Sequence, residues 1–186
     1  NTSTTYFLTG IWANGCQGKD TVSINVSNSA SLVKPPNKSF CSKESVQLDG
    51  NNGNAVQYLW APTTYLNNAA IINPVANPPA TTTYTVTVTD TTCNFDSSFA
   101  VIVTVNSLPS VNASRSNDID CALKNARLSA TGATQYTWQP PGTLSSSTIA
   151  NPVATPVSNT LYVVTGTDNN GCKNNDSVTV LVKGGI

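Results

Sequence analysis

Tyr84-Thr85-Val86-Thr87-Val88-Thr89-Asp90, followed closely by Cys93, decides the fold. Apolar and polar residues alternate with period two and β-branched side chains dominate, the pattern of a half-buried strand. The stretch returns as Tyr162-Val163-Val164-Thr165-Gly166-Thr167-Asp168 before Cys172. A more divergent copy, Tyr6-Phe7-Leu8-Thr9-Gly10-Ile11-Trp12, precedes Cys16. Each copy runs through a polar turn into a second alternating strand, carried by Val22, Ile24 and Val26, by Phe99, Val101, Val103 and Val105, and by Val178, Val180 and Val182. A β-hairpin that recurs every 77 to 79 residues makes the chain a tandem array.

Outward from the hairpins, the last two copies repeat in register. Ser45-Val46-Gln47-Leu48 corresponds to Ala126-Arg127-Leu128-Ser129-Ala130, and Gln57-Tyr58-Leu59-Trp60 to Gln135-Tyr136-Thr137-Trp138. A repeat of about 80 residues with six or seven short strands and a Trp in the third is predicted to be an immunoglobulin-like sandwich. The expected fold class is all-β, with tandem immunoglobulin-like β-sandwiches in a head-to-tail array. Its divisions are an incomplete repeat reduced to its C-terminal hairpin (1–27), a full repeat (28–106) and a second full repeat (107–186). Alternation turns Tyr84, Val86 and Val88 inward, and likewise Tyr162 and Val164. Trp60 and Trp138 fill the core, and the hydroxyls of Tyr84 and Tyr162 are expected to bond nearby backbone groups. A two-stranded hairpin is marginal in water. Residues 1–27 must therefore be completed by more of a longer chain or by strands from a neighbouring molecule, and the first is favoured.

Composition narrows the function. Nine basic and nine acidic residues leave no net charge, so no basic face exists for nucleic acid or anionic lipid. No apolar run approaches the 18 residues or so of a membrane span, and membrane insertion is not expected. The sequence opens at Asn1 without an initiator Met and reads as a mature or excised segment. The chain has no histidine and one glutamate, Glu44, which removes the usual general base and the commonest metal ligand. No catalytic residue, metal or cofactor is therefore assigned, and the chain is not expected to be an enzyme. Asp49-Gly50-Asn51-Asn52-Gly53-Asn54 and Asp168-Asn169-Asn170-Gly171 faintly resemble calcium loops, but the same residues favour any tight turn.

Five cysteines, none in Cys-x-x-Cys spacing, point to disulfides in an extracellular chain. One scheme closes each repeat on itself, Cys41 with Cys93 and Cys121 with Cys172, leaving Cys16 for a partner upstream. The other crosses the junction between repeats, Cys41 with Cys172, and leaves Cys16, Cys93 and Cys121 for further repeats or partners. Sandwich geometry leans to the second. Cys41 and Cys93 fall at opposite ends of a strand of roughly 20 Å, whereas a disulfide needs Cα atoms within about 7 Å.

Cys121, Tyr136-Thr137-Trp138, Asn151-Pro152-Val153-Ala154, Thr160-Leu161-Tyr162, Asp168, Asn170-Gly171-Cys172 and Asp176-Ser177-Val178-Thr179-Val180 form a recurrent combination. It resembles the Ig-like or PKD-like repeats of large surface proteins of Bacteroidota, including adhesins of gliding species. The resemblance covers essentially the whole chain. It implies a structural and adhesive surface segment, a stalk or filament exported by the type IX secretion system. The implied partners are neighbouring repeats of the same or an identical chain, with surface polysaccharide or another cell-surface ligand as a candidate. It further implies O-glycosylation at Asp-Ser/Thr sites, making Thr21, Thr91 and Ser177 candidates. The alternative reading is a carbohydrate-binding accessory module of a secreted enzyme. That needs exposed aromatics along one sheet face, for which Tyr65 and Phe95 are the candidates.

Overall fold

The computed structural model describes residues 3–26, 33–50, 57–90 and 95–184. Every regular element in them is a strand. The first hairpin is β1 (Thr4–Ile11) and β2 (Gln17–Ile24), paired only with each other. The next six are β3 (Lys38–Cys41), β4 (Val46–Gln47), β5 (Gln57–Ala61), β6 (Val75–Ala76), β7 (Thr82–Asp90) and β8 (Phe95–Asn106). They form a sheet in the order β3-β8-β7-β5 and a two-stranded sheet β4-β6. The last six are β9 (Asn112–Arg115), β10 (Ala126–Thr131), β11 (Gln135–Gln139), β12 (Val153–Ala154), β13 (Thr160–Thr167) and β14 (Lys173–Val180). These give the sheets β11-β13-β14 and β12-β10-β9.

Both sets follow the immunoglobulin pattern. The Trp strand pairs with the first strand of the hairpin, and the hairpin carries the outer strand (β5-β7-β8 and β11-β13-β14). The strand of Leu48 or Leu128 pairs instead with the short Val-Ala strand of the opposite layer, Val46 facing Ala76 and Ala126 facing Ala154. Ahead of each sits a short segment running parallel to the last strand. In the second set Ile119 bridges Val182 in parallel. In the first, Asn37 Oδ1 accepts the Ile102 N–H and Asn106 O accepts the Ser42 N–H, so numbering rises together on both strands.

The backbone bonds around the core Leu and Trp recur in both copies. Leu48 N–H donates to Pro74 O and Leu128 N–H to Pro152 O. Trp60 N–H donates to Ala69 O and Trp138 N–H to Ser147 O. The indole Nε1–H of Trp60 reaches Ile71 O and that of Trp138 reaches Ile149 O, both at 3.0 Å. Trp60, Trp138, Tyr84 and Tyr162 are all fully buried. In the second copy, Leu128 and Ala154 from one sheet and Trp138, Tyr162, Val164 and Val180 from the other share one apolar cluster. A buried apolar area of this kind is the main stabilising term of such a fold, at about 25 cal/mol per Å².

The chain divides into two compact units. One comprises Asn1–Ser39 and Ser45–Thr104, the other Phe40–Glu44 and Val105–Ile186. Five residues from the end of β3 and the turn after it thus belong with the last sandwich.

Two details differ from the sequence reading. Tyr84 does donate to a backbone carbonyl, that of Thr64, at 3.2 Å. Tyr162 bonds the Thr143 side-chain hydroxyl at 2.5 Å instead. Position 143 carries an Oγ able to reach into the same place, and a short side chain competes well for a fixed phenol. The second difference is β9, a strand that the sequence reading does not place. It is held as an edge by pairing with β10 and by Asp176 Oδ2, which accepts the Ala113 N–H at 2.7 Å.

Candidate functional site

Cys41 ends β3, and the chain turns at once, Glu44 N–H donating to Cys41 O with Lys43 in the left-handed region. Cys172 closes the turn between β13 and β14 and is fully buried. Asp168 builds that turn. Its carbonyl accepts the Gly171 N–H, and its Oδ1 accepts the N–H groups of Asn170 and Cys172 at 2.8 and 2.9 Å. Gly171 has φ +80°, which glycine adopts without a Cβ penalty. The two sulfurs are bonded at 2.04 Å, with Cα atoms 5.5 Å apart across 131 positions of sequence. Both cysteines are of the second compact unit. Because they hold each other, neither Cys41–Cys93 nor Cys121–Cys172 forms. Cys93 lies outside the described residues.

The turn of Cys172 has a double. In the first hairpin Trp12 N–H donates to Cys16 O and Gly15 N–H to Trp12 O, at 2.8 and 2.9 Å. Asp168 N–H and Gly171 N–H make the same two bonds at 3.0 and 3.2 Å. Gly15 takes φ +85°, beside +80° for Gly171, and Asn14 Oδ1 accepts the Cys16 N–H in place of the Asp168 carboxylate. Cys16 is therefore the structural counterpart of Cys172, with a free, exposed thiol.

Cys41 also has a double. Cys121 stands 80 positions later, as Leu128 stands 80 after Leu48, and its thiol is free and exposed. A charged cluster anchors the segment before it. Asp118 Oδ1 meets Arg115 Nη2 at 2.7 Å and Oδ2 meets Lys183 Nζ at 3.1 Å, while Oδ1 also accepts the Leu181 N–H at 3.2 Å. Arg115 reaches across to the Thr179 carbonyl. Desolvation pushes the Asp118 carboxyl up, but the bonds from Leu181 and Lys183 and the charges of Arg115 and Lys183 outweigh it and leave it below the usual carboxylate range. Asp120 is held low by the N–H groups of Leu123 and Ala122. Sequence reading missed this cluster, whose members are scattered over 69 positions with no motif between them.

The first hairpin differs from its counterparts in one respect. Tyr6 pairs with Val22 as Tyr84 pairs with Val101 and Tyr162 with Val178. Tyr84 and Val101 are 0% and 1% exposed, Tyr6 and Val22 57% and 60%. Leu8 and Ile24, on the same face by alternation, are exposed as well. The face that forms the core in two copies is open in the third.

The remaining sequence candidates are dispersed. Thr21 and Ser177 are exposed on β2 and β14, and Thr91 lies outside the described residues. Tyr65 and Phe95 are about half exposed but belong to different elements, the turn after β5 and the start of β8. The structure adds exposed Phe7 and Trp12 to the surface aromatics, on the first hairpin. Asp168, in one calcium-loop candidate, spends Oδ1 on its own turn. The other candidate lies largely outside the described residues. Among the described residues, no three His, Cys, Asp or Glu side chains converge as a metal site would need, and no helix is long and apolar enough to cross a membrane.

Strand order and pairing define the class: immunoglobulin-like β-sandwiches in tandem, with a disulfide. No protein-family model matches the chain and no curated protein is similar to it. Among solved structures, extracellular domains 3–5 of Drosophila OTK match 97% of this chain and 71% of their own, at 12% identity and TM-score 0.48. An I-band fragment of titin matches 83% of this chain and 65% of its own, at 12% identity and TM-score 0.41. Sidekick-1 immunoglobulin domains 1–5 match 96% of this chain, which spans 46% of them, at 14% identity and TM-score 0.39. At such values no ligand or partner is carried over from any of them.

Proposed function

We propose that the chain is a structural and adhesive segment of a cell-surface protein, built of copied sandwiches whose extension under tension a disulfide limits. Its repeats are 28–106 and 107–186, preceded by the hairpin 1–27. The observation that supports this most is the Cys41–Cys172 bond. Tension applied at the two ends of the chain passes along residues 1–41, through the disulfide, and on from residue 172. The intervening chain is off the load path until the bond is broken. A disulfide that closes so long a loop belongs in an oxidising compartment, which favours an extracellular place. The resemblance to Bacteroidota repeats favours a surface stalk or filament of that group, exported by the type IX route, with Thr21, Thr91 and Ser177 as glycosylation candidates.

Catalysis has no support in the side chains. Asp118, Asp120, Asp168 and Asp176 each accept backbone N–H bonds, the work of turns and edges. A carbohydrate-binding module would need aromatics in a row, and Tyr6, exposed on the first hairpin's open face, occupies a core position in the other copies. Immunogold labelling of intact source cells and electron micrographs of the released protein test the proposal. Surface label and beaded fibres, with beads of about 35–40 Å from strand length plus loops, are expected. Compact single particles without surface label would overturn it.

A further inference from the structure

We propose that Cys121 and Cys16 are the two halves of a second disulfide, formed between copies of this chain, Cys121 of one copy bonding Cys16 of the next. The inference rests on the repeat-array reading above and specifies the partner of each free thiol. The bonded pair supplies the rule. A cysteine closing the segment parallel to the last strand (Cys41) joins a cysteine in a hairpin turn (Cys172). Each free cysteine repeats one side of that pair and not the other. Cys16 sits in a turn with the same two backbone bonds and the same glycine conformation as the Cys172 turn. Cys121 has the sequence place of Cys41 and lies beside Gly184, 3.9 Å from where a Cβ of that residue would be.

Both thiols are exposed, so nothing in the described residues shields them from a second copy. The two kinds of cysteine are unlike, and among the described residues each copy offers one free cysteine of each kind. Such a heterologous link does not close on itself as a two-fold dimer does, and it generates open chains. The oxidant is a small-molecule disulfide such as oxidised glutathione. One thiolate attacks it, forming a mixed disulfide and releasing one reduced glutathione. The second thiolate then displaces the other glutathione, so two protein thiols become one disulfide and the two electrons end on two glutathione thiols.

The test uses the full chain in a glutathione redox buffer, followed by non-reducing electrophoresis and peptide mapping. The unaltered chain is expected to give a ladder that collapses to monomer with reductant. Cys16→Ser alone and Cys121→Ser alone are each expected to stay monomeric, and an equimolar mixture of the two to give dimer, joined through a Cys16–Cys121 peptide. Both positions are exposed and lose no bonded partner, so the variants should fold. Absence of dimer in the mixture overturns the proposal, as do dimers joined through two Cys16, two Cys121 or Cys93. The same digest reports the internal pair. A Cys41–Cys172 peptide without the Cys16–Cys121 peptide sinks only the link between copies, whereas loss of both sinks the load-path reading as well.

Discussion

Trp138 donates its indole N–H to the carbonyl of Ile149, eleven residues further along, across 3.0 Å. The bond ties the centre of the core to the segment leading into β12, and Trp60 makes the same bond to Ile71. Replacing Trp by Phe removes the donor and leaves a void, and truncation to Ala leaves a larger one. Trp138→Phe is expected to cost about 1.5–3 kcal/mol and Trp138→Ala about 3–5 kcal/mol. The Trp60 variants should cost the same within about 1 kcal/mol, given like surroundings. Urea denaturation followed by fluorescence of the remaining Trp residues measures both. A cost at one position only would mean that the copies are not equivalent.

Gly132 is a sharper backbone test. It has φ +91°, and a Cβ there would lie 1.9 Å from the Ser110 carbonyl oxygen. Neither the dihedral nor the backbone neighbour can give way cheaply. Gly132→Ala is expected to destabilise the last sandwich by at least about 2–3 kcal/mol. Gly142→Ala, with open space around its Cβ, should change little. Thermal melts of the two variants side by side decide it.

Acid sensitivity follows from the carboxylates. Asp176 is held below the usual range first by the Ala113 N–H and then by the Ser177 N–H. Asp118 and Asp120 are lowered as well. A depressed folded-state pKa gives stability that is full above the unfolded value near 3.8 and is lost as pH falls through the folded value. Stability should therefore drop below about pH 4, and Asp176→Asn should flatten that drop. Denaturation midpoints from pH 7 to pH 2 provide the measurement, and an unchanged slope in the variant would refute the role given to Asp176.

The open face of the first hairpin separates two equivalent valines. Val101→Thr places a hydroxyl in a dry core and is expected to cost about 1–3 kcal/mol. Val22→Thr, at the matching position but exposed, should stay within about 0.5 kcal/mol. Equal costs in chemical denaturation would mean that the first hairpin is covered in the isolated chain.

What could be seen in advance was what period and spacing encode. Tyr84, Val86 and Val88 alternate against threonines over a full strand, so strand and inward face were both legible, as were the Trp positions from their common offset. The two-residue strands β6 and β12 are too short for periodicity to appear, whereas Ser45-Val46-Gln47-Leu48 alternates around β4. β9 has a single apolar residue, Ala113, and is an edge held by Arg115 and Asp176 through contacts about 63 positions distant. Spacing left two pairings open for Cys41. The choice depends on where the end of β3 lies beside Asn106, a parallel contact that a sequence does not announce. That the first hairpin lacks a cover follows from reading residues 1–27 as an incomplete repeat, and the exposure of Tyr6 and Val22 agrees with it.

The central claim is that a disulfide across 131 positions takes the chain between Cys41 and Cys172 off the load path. Single-molecule force spectroscopy, pulling from the two ends before and after reductant, tests it directly. The account predicts that reduction adds about 450 Å of contour length, the extended span of the released loop at roughly 3.3–3.6 Å per residue, together with new sandwich-unfolding events. The same contour length with and without reductant would contradict it.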